Sequence, residues 1–491
     1  MDNSDLHCIV IGAGLGGLAA AALLARRGMQ VTVLEAQSTP GGCAGNFVSN
    51  GYRFDAGATV GCGFHPGGPL EQLGHELGIE WPVTPEPVAW QYRRRGRKLD
   101  LCRTREGIIA RFPRSASFWE EQSRMAEMLW RLSENGLHWP LTSLPDLAGL
   151  FLKGVGGLPG TVSLAKYATG TAHDWLATHG LDTMSDFIRF IDAQLMISVQ
   201  ATSREANALN AAIALDLPVS GTWHVRGGVG RIAELLAASI EKDGGAVVYN
   251  KKVIRLDTIR REALGVETAD GDALAADIII ANLTPDSLEQ LEGRAPERAK
   301  VGIRSGWSAF MLYLGMDSSA FRMAGVDHLQ IISSDGRLGE CQSLFVSASA
   351  ADELSRAPSG QRAVTISTHS RPEPWFEALR SGRAGYLRMK ERYTRQALDL
   401  LYEEMPEAEG AVRSVKAATP VSWERWTGRR LGYVGGYAQT SLFDVYGPST
   451  RYDNLFLVGD SIFPGQSLPG VVTGARRTVE LVLRQARKIR L

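Results

Sequence analysis

The chain has 491 residues, 44% apolar and 22% charged, an ordinary globular composition with enough apolar side chains for a large core. Its 53 basic and 53 acidic residues cancel, which argues against nucleic acid, a partner that needs a basic excess on at least one face. Five scattered cysteines (Cys8, Cys43, Cys62, Cys102, Cys341), without CxxC or paired histidine spacing, exclude a disulfide framework and a zinc site from the expectation and suit a reducing, cytoplasmic compartment.

The length predicts roughly three domains, and the 54 glycines fall in a few dense clusters. The run Cys8–Leu24 is apolar, but Gly12, Gly14, Gly16 and Gly17 cut it and Arg26-Arg27 close it. With the acidic start before it, this run reads neither as a secretory signal nor as a spanning helix of about 20 residues. The expectation is a protein that is soluble or lies on a membrane.

His7–Ile11 reads as a buried parallel strand. It enters Gly12-Ala13-Gly14-Leu15-Gly16-Gly17, a G-x-G-x-x-G, and the Ala-rich Leu18–Arg27 then favours a helix with Gly28 at its C-terminal end. Gln30–Leu34 reads as a second strand closed by Glu35. Gly12 makes the tight turn, Gly14 lets the backbone approach a pyrophosphate, and Gly17 lets the helix pack on the strand. The helix start offers free N–H groups and a positive dipole end to phosphates. Glu35 can accept from both hydroxyls of an adenosine ribose and would repel a 2′-phosphate. Strand, turn, helix, strand and acid within about thirty residues form a specific dinucleotide signature.

After Glu35-Ala36 come Pro40-Gly41-Gly42-Cys43-Ala44-Gly45 and Phe54-Asp55-Ala56-Gly57-Ala58-Thr59, glycine-rich loops where an NAD domain would continue into another helix. These residues resemble the two-dinucleotide-motif flavoproteins, which include amine oxidases, protoporphyrinogen oxidase and the carotenoid desaturases. The resemblance implies FAD, with the Gly-Gly pair along the cofactor and the F-D-x-G loop near the flavin ring. Leu15, Ala36, Gly42, Cys43, Ala58 and Thr59 thereby join Gly12, Gly14, Gly17 and Glu35 as cofactor-binding candidates. Cys43 stands where this superfamily usually has arginine, which removes one charge contact.

Farther along, Gly227-Gly228-Val229-Gly230 breaks the chain. Ile232, Leu235, Leu236 and Ile240 then follow helical spacing, Asp243-Gly244-Gly245 stops the helix, and short strands are expected at 246–249, 253–256, 263–268 and 276–281. The resemblance assigns this series to the FAD domain, with Val253 meeting the adenine through its backbone. Asn454–Val458 reads as a buried strand ending in Gly459-Asp460, followed by Phe463-Pro464-Gly465-Gln466-Ser467-Leu468-Pro469-Gly470. This F-P-G-Q-x-x-P-G resembles the desaturase branch: phytoene desaturases, carotenoid 3′,4′-desaturases, carotenoid isomerases and retinol saturases. It implies Gly459 and Asp460 at the ribityl chain. It also implies a helix starting near Gly470, with Val471 and Val472, aimed at the flavin's pyrimidine edge. Phe54–Thr59 with Pro66-Gly67-Gly68, Phe190–Gln194, Thr419-Pro420 and Trp426–Arg429 resemble the 3′,4′-desaturases in particular.

The fold expected is α/β, a Rossmann-like FAD-binding domain of the two-dinucleotide-motif kind with an interleaved α+β substrate domain. Residues 1–85, 223–289 and 431–491 are assigned to the first, and 86–222 and 290–430 to the second. The resemblance implies an oxidoreductase that removes hydrogen across a single bond of a carotenoid or other isoprenoid polyene, a hydride going to flavin N5 and a proton to a base. Asp192, then Gln194, in the apolar Phe187–Val199 segment are candidates for that base, though an amphipathic helix with a solvated acid is the plainer reading; His224 and His65 are further candidates. The apolar Leu147–Tyr167 stretch, with Lys153 and Lys166, suits a membrane interface or a core helix under a loop. The partners implied are the polyene, a membrane surface touched peripherally, and oxygen or a quinone as electron acceptor. Three other activities use the same motifs: a flavin-dependent cis–trans isomerase, a polyene saturase and an amine oxidase. A non-catalytic isoprenoid-binding escort is a fourth reading, opposed by the retained Gly12, Gly14, Gly17, Glu35 and Asp460.

Overall fold

The computed structural model describes residues 5–134, 140, 164–294, 306–322 and 324–489. The greater part of the Leu147–Tyr167 stretch, up to residue 163, lies outside the described residues.

Five parallel strands form one sheet in the order Ala246–Val248, Gln30–Leu34, His7–Ile11, Ile278–Ala281, Leu455–Leu457. The side chains of His7–Ile11, Ile278–Ala281 and Leu455–Leu457 are largely covered on both faces, which is why these strands read as apolar runs rather than alternating ones. One face carries the helices Leu15–Ala25, Gly230–Lys242 and Leu468–Ile489 in a single apolar cluster. Leu15–Ala25 is buried at every position, and its alanines keep it thin enough to sit between the other two. The opposite face is covered by the antiparallel strands Val253–Ile259, Glu262–Thr268 and Ala273–Ala275. Strand order reverses at His7–Ile11, whose neighbours are Gln30–Leu34 on one side and Ile278–Ala281 on the other. Reversal of this kind opens a crevice at the carboxyl ends of the strands.

A seven-stranded mixed sheet stands beside it, in the order Val412–Ala418, Ser308–Asp317, Gln361–Ser370, Ser343–Ala348, His328–Ile332, Val88–Arg94, Arg97–Cys102. Alternation decides what each face touches: Leu344 and Val346 join the cluster under the helices Glu373–Arg380 and Arg383–Glu404. Phe345 between them points the other way, toward Trp90 and the helix Ser185–Ser198. On that same second face Met311 and Tyr313 pack against Tyr52 and Phe54 of the hairpin Asn46–Ser49/Tyr52–Asp55. The hairpin therefore lies between the two sheets, and its loop is tied to the larger one. The Tyr313 hydroxyl donates to Ala56 O at 2.6 Å, and Thr365 Oγ1 to Asp55 O at 3.2 Å.

Candidate functional site

Three glycine-bearing segments converge at the carboxyl end of the parallel sheet. Gly12 turns with φ +92° directly after the first strand, and Gly14 caps the helix Leu15–Ala25 from extended backbone. The N-cap Gly14 makes no side-chain cap and no acid stands in the first turn, so the positive end of the helix dipole lies at the crevice. The Gly-Gly turn is drawn against it: Gly41 N donates to Ala13 O at 2.7 Å, and Gly41 pairs with Gly14 as a parallel bridge. Gly459 closes the third side, its Cα only 2.9 Å from where a Cβ on Gly16 would lie. Gly17 is as crowded, with a Cβ there meeting Gly12 O at 2.5 Å. Three backbones meet here because none of these positions carries a side chain.

Glu35 stands at the end of the second strand, 9% exposed. Its oxygens accept from Ala13 N at 2.6 Å and Gln37 N at 2.8 Å, leaving lone pairs on both for hydroxyls. Burial pushes its carboxyl above the ordinary value, against the N–H groups of Gln37, Ala13 and Ala36, which hold it down. Val253 is buried at the start of its strand, and the turn before it is fastened here through Lys251 N to Glu35 O, 2.7 Å. Cys43 lies in the one-turn helix Gly42–Ala44, and Cys43 O accepts from Ala58 N at 3.2 Å. Asp460, after Gly459, is gripped through both oxygens by Arg429, at 2.8 and 2.9 Å. A ligand with an anionic diphosphate and a ribose fits this set: an uncapped helix start, a cradle that any Cβ would fill, and a carboxylate with acceptor capacity to spare.

The C-terminal helix departs from expectation in its first turn. It begins at Leu468, near Gly470 as expected, but Gly470 N and Val471 N donate to Ser467 Oγ (3.3 Å) and Ser467 O (3.0 Å) rather than standing free. Val472 is a core residue of the helix cluster. Pro469 at the second position suits this start, since proline is tolerated there and lacks the N–H that would need a partner.

The F-D-x-G aspartate holds the fold together across segments. Asp55 accepts from Val229 N at 2.7 Å and pairs with Arg356 at 2.7 Å, both ends buried. It thus joins the hairpin to the Gly227–Gly230 turn and to the larger sheet. Next to it lies a small polar cavity lined by Asp55, Thr59, His224, His328, Ser347 and Arg356. His328 is 3.2 Å from Glu86 and 2.8 Å from Ser347 Oγ, which in turn donates to Thr59 Oγ1 at 2.8 Å. Burial works against the charged His328, but Glu86 above all outweighs it and raises the pKa; burial likewise opposes the Glu86 carboxylate, and His328 lowers its pKa.

Asp192 and Gln194 are not brought into this convergence by their hydrogen bonds. Asp192 accepts from Ser203 N at 2.6 Å, and burial raises its pKa. Gln194 bridges Trp90 Nε1 (3.1 Å) and Gln330 Oε1 (2.7 Å), a buried polar clamp between the helix Ser185–Ser198 and the larger sheet. His224 pairs with Glu353 at 3.0 Å, and the His65 ring lies 6.3 Å from that of Trp223. Sequence reasoning missed Asn282 and His328, and took Arg429 only as the end of the Trp426–Arg429 motif, with no role in the site. Asn282 fills the space above the first glycines, its Oδ1 3.2 Å from a Cβ on Gly16. An asparagine at the end of the otherwise apolar Ile278–Ala281 strand was the available signal.

The family described as flavin containing amine oxidoreductase matches residues 15–483. A curated protein named prolycopene isomerase, chloroplastic, from Daucus carota is 28% identical over 98% of this chain and 82% of its own. Phytoene desaturase (lycopene-forming) of a Paracoccus strain is 27% identical over 97% of both chains. Among solved structures, cyclohexylamine oxidase from Brevibacterium oxydans superposes with a TM-score of 0.62 over 99% of this chain and 100% of its own, at 17% identity.

Proposed function

We propose that this chain, which belongs to the flavin containing amine oxidoreductase family and is an FAD-dependent oxidoreductase, acts on a long apolar polyene by removing hydrogen across a carbon–carbon single bond. The observation that carries this reading is end-to-end similarity to a protein named phytoene desaturase, in a chain whose glycine cleft suits FAD. When bound, FAD supplies a two-electron acceptor able to take a hydride. The chain's own residues hold and shield. The helix start at Gly14 and the Gly41-Gly42 turn receive the diphosphate, Glu35 the ribose, and Asp460 a ribityl hydroxyl. The Ala56–Thr59 loop, tied by Tyr313 and Ser347, forms the wall between that cleft and the larger sheet. A small crevice lined mostly by apolar side chains, among them Trp90, Ile108, Trp119, Phe190 and Ile197, with Arg105 and Gln194 as polar members, is in keeping with a largely apolar ligand.

The substrate's own insolubility supports work at a membrane surface. Among the described residues no helix is long and apolar enough to cross a membrane, while Trp426 and Phe443 are exposed on segments flanking Arg429. Electrons then leave to oxygen or a quinone. Similarity to the protein named prolycopene isomerase favours a second reading, in which the same cleft serves cis–trans isomerisation without net oxidation.

The test is anaerobic. The FAD-loaded protein is mixed with a lycopene- or γ-carotene-type polyene in detergent, and the flavin band is followed beside the polyene spectrum. Flavin bleaching with a red-shifted polyene is the expected result. A changed cis-peak that requires prior flavin reduction would move the assignment to the isomerase, and silence in both would remove the polyene from the reading.

A further inference from the structure

The Arg429–Asp460 pair poses an electrostatic question that the glycine motifs do not answer. A bound FAD brings the two negative charges of its diphosphate into a cleft that already holds the Asp460 carboxylate, 15% exposed. Like charges in a partly desolvated site repel strongly. The residue after the Gly-Gly pair, Cys43, carries no charge to offset them. Burial pushes its thiol pKa up, while Arg429 pulls it down and Asp460 pushes it up, so both members of the pair are within electrostatic reach of the turn.

Arg429 arrives from elsewhere in the chain. The helix Pro420–Thr427 packs on the Gly42–Ala44 turn, Trp423 sharing an apolar cluster with Cys43. A Cβ on Gly57 would meet Cys43 O at 2.7 Å and the Trp423 ring at 2.9 Å. The helix ends at Gly428 in the left-handed region, φ +67°, and that turn delivers Arg429 to the cleft. There its guanidinium meets Asp460 fork to fork, the strongest geometry an arginine–carboxylate pair has. An ionised carboxylate offers about four acceptor positions. Arg429 fills two and Ser461 Oγ, at 3.3 Å, a third. One is left, with its direction set, for a ligand hydroxyl.

We propose that Arg429 is a cofactor-anchoring residue, orienting Asp460 toward the ribityl hydroxyl and cancelling the Asp460 charge beside the diphosphate, the role an arginine at position 43 would otherwise fill. The proposal rests on the reading of this cleft as the FAD site. Its consequence is that Arg429 acts on FAD affinity through the charge of Asp460.

The experiment is FAD titration of the full chain, read by flavin fluorescence, for the wild type, Arg429→Ala, Asp460→Asn, the double variant, and Arg429→Ala with Cys43→Arg. Loss of Arg429 alone leaves a partly buried carboxylate without its cation beside an anionic ligand, and affinity is expected to fall by about tenfold or more. Adding Asp460→Asn to Arg429→Ala, or adding Cys43→Arg, is expected to recover most of that loss, a coupling that independent contributions would not give. Arg429→Ala binding FAD within about twofold of wild type overturns the proposal, as does failure of both second substitutions to recover affinity. Should Arg429→Ala not fold, the double variant compared with Asp460→Asn alone decides: a further loss of about tenfold there would mean that Arg429 does not act through Asp460. A wild-type chain that takes up no FAD at all refutes the reading beneath it instead.

Discussion

Gly17→Ala isolates the steric logic of the cleft from backbone conformation, because Gly17 is helical and alanine is the better helix former by about 1 kcal/mol. Against that gain, the new methyl would lie 2.5 Å from Gly12 O, 2.9 Å from Asn282 Cβ and 3.2 Å from Val10 Cγ1. Two of these distances are shorter than real Cβ contacts, and the carbonyl belongs to the turn itself. Relief requires the helix start to move away from the strand by several tenths of an ångström. Overpacking of this kind costs about 1–3 kcal/mol, and contact with backbone places it at the upper end, so a net loss of about 1–2 kcal/mol is expected after the propensity gain. The same displacement pulls the helix N–H groups from the diphosphate, so FAD affinity falls with stability. Gly28→Ala is the control. Its φ is +79° with nothing within 4 Å, so it costs about 1 kcal/mol from the left-handed backbone alone and leaves FAD affinity unchanged at the far end of the same helix. Thermal unfolding and FAD titration of the two variants make the comparison. Gly17→Ala with wild-type FAD affinity and stability would refute the close-packing argument.

Two other outcomes follow from buried titratable groups. His328 has its pKa raised in the folded protein, so the stability it contributes is present below its unfolded pKa and lost as pH rises through the folded value; Glu86, lowered, contributes above its unfolded pKa and is lost as pH falls through its folded value. Asp327 and Asp55 also favour the protonated ring. Melting temperature measured from about pH 5 to about pH 9 is therefore expected to decline on the alkaline side, and His328→Gln to flatten that decline; an unchanged alkaline limb in the variant rules the pair out as its cause. Asp192→Asn keeps the acceptor for Ser203 N, and anaerobic flavin reduction by the polyene is expected to stay within about threefold of wild type, where loss of a general base costs about a hundredfold or more. A loss of that larger size, with FAD still bound, would make Asp192 the base.

The amino-acid sequence alone reaches the dinucleotide half of this protein, because His7–Glu35 encodes strand, turn, helix and strand through contacts among near neighbours, and each glycine there has a backbone reason. The same local logic finds the Gly230–Lys242 helix and the Leu455–Leu457 strand. It also places the start of the last helix, near Gly470, within two residues of Leu468, but does not show that Ser467 takes the Gly470 and Val471 N–H groups. Side-chain partnerships are a different matter. Arg429 meets Asp460 across 31 positions, Asp55 meets Arg356 across 301, and Ser347 meets Thr59 across 288. No periodicity links such residues, and the local motifs that mark Asp55, Thr59, Arg429 and Asp460 carry no sign of which distant side chain each will meet. Which of them pair is decided only when two sheets and a hairpin pack together, because a buried charge or hydroxyl must then take whichever partner the tertiary fold leaves within hydrogen-bonding distance.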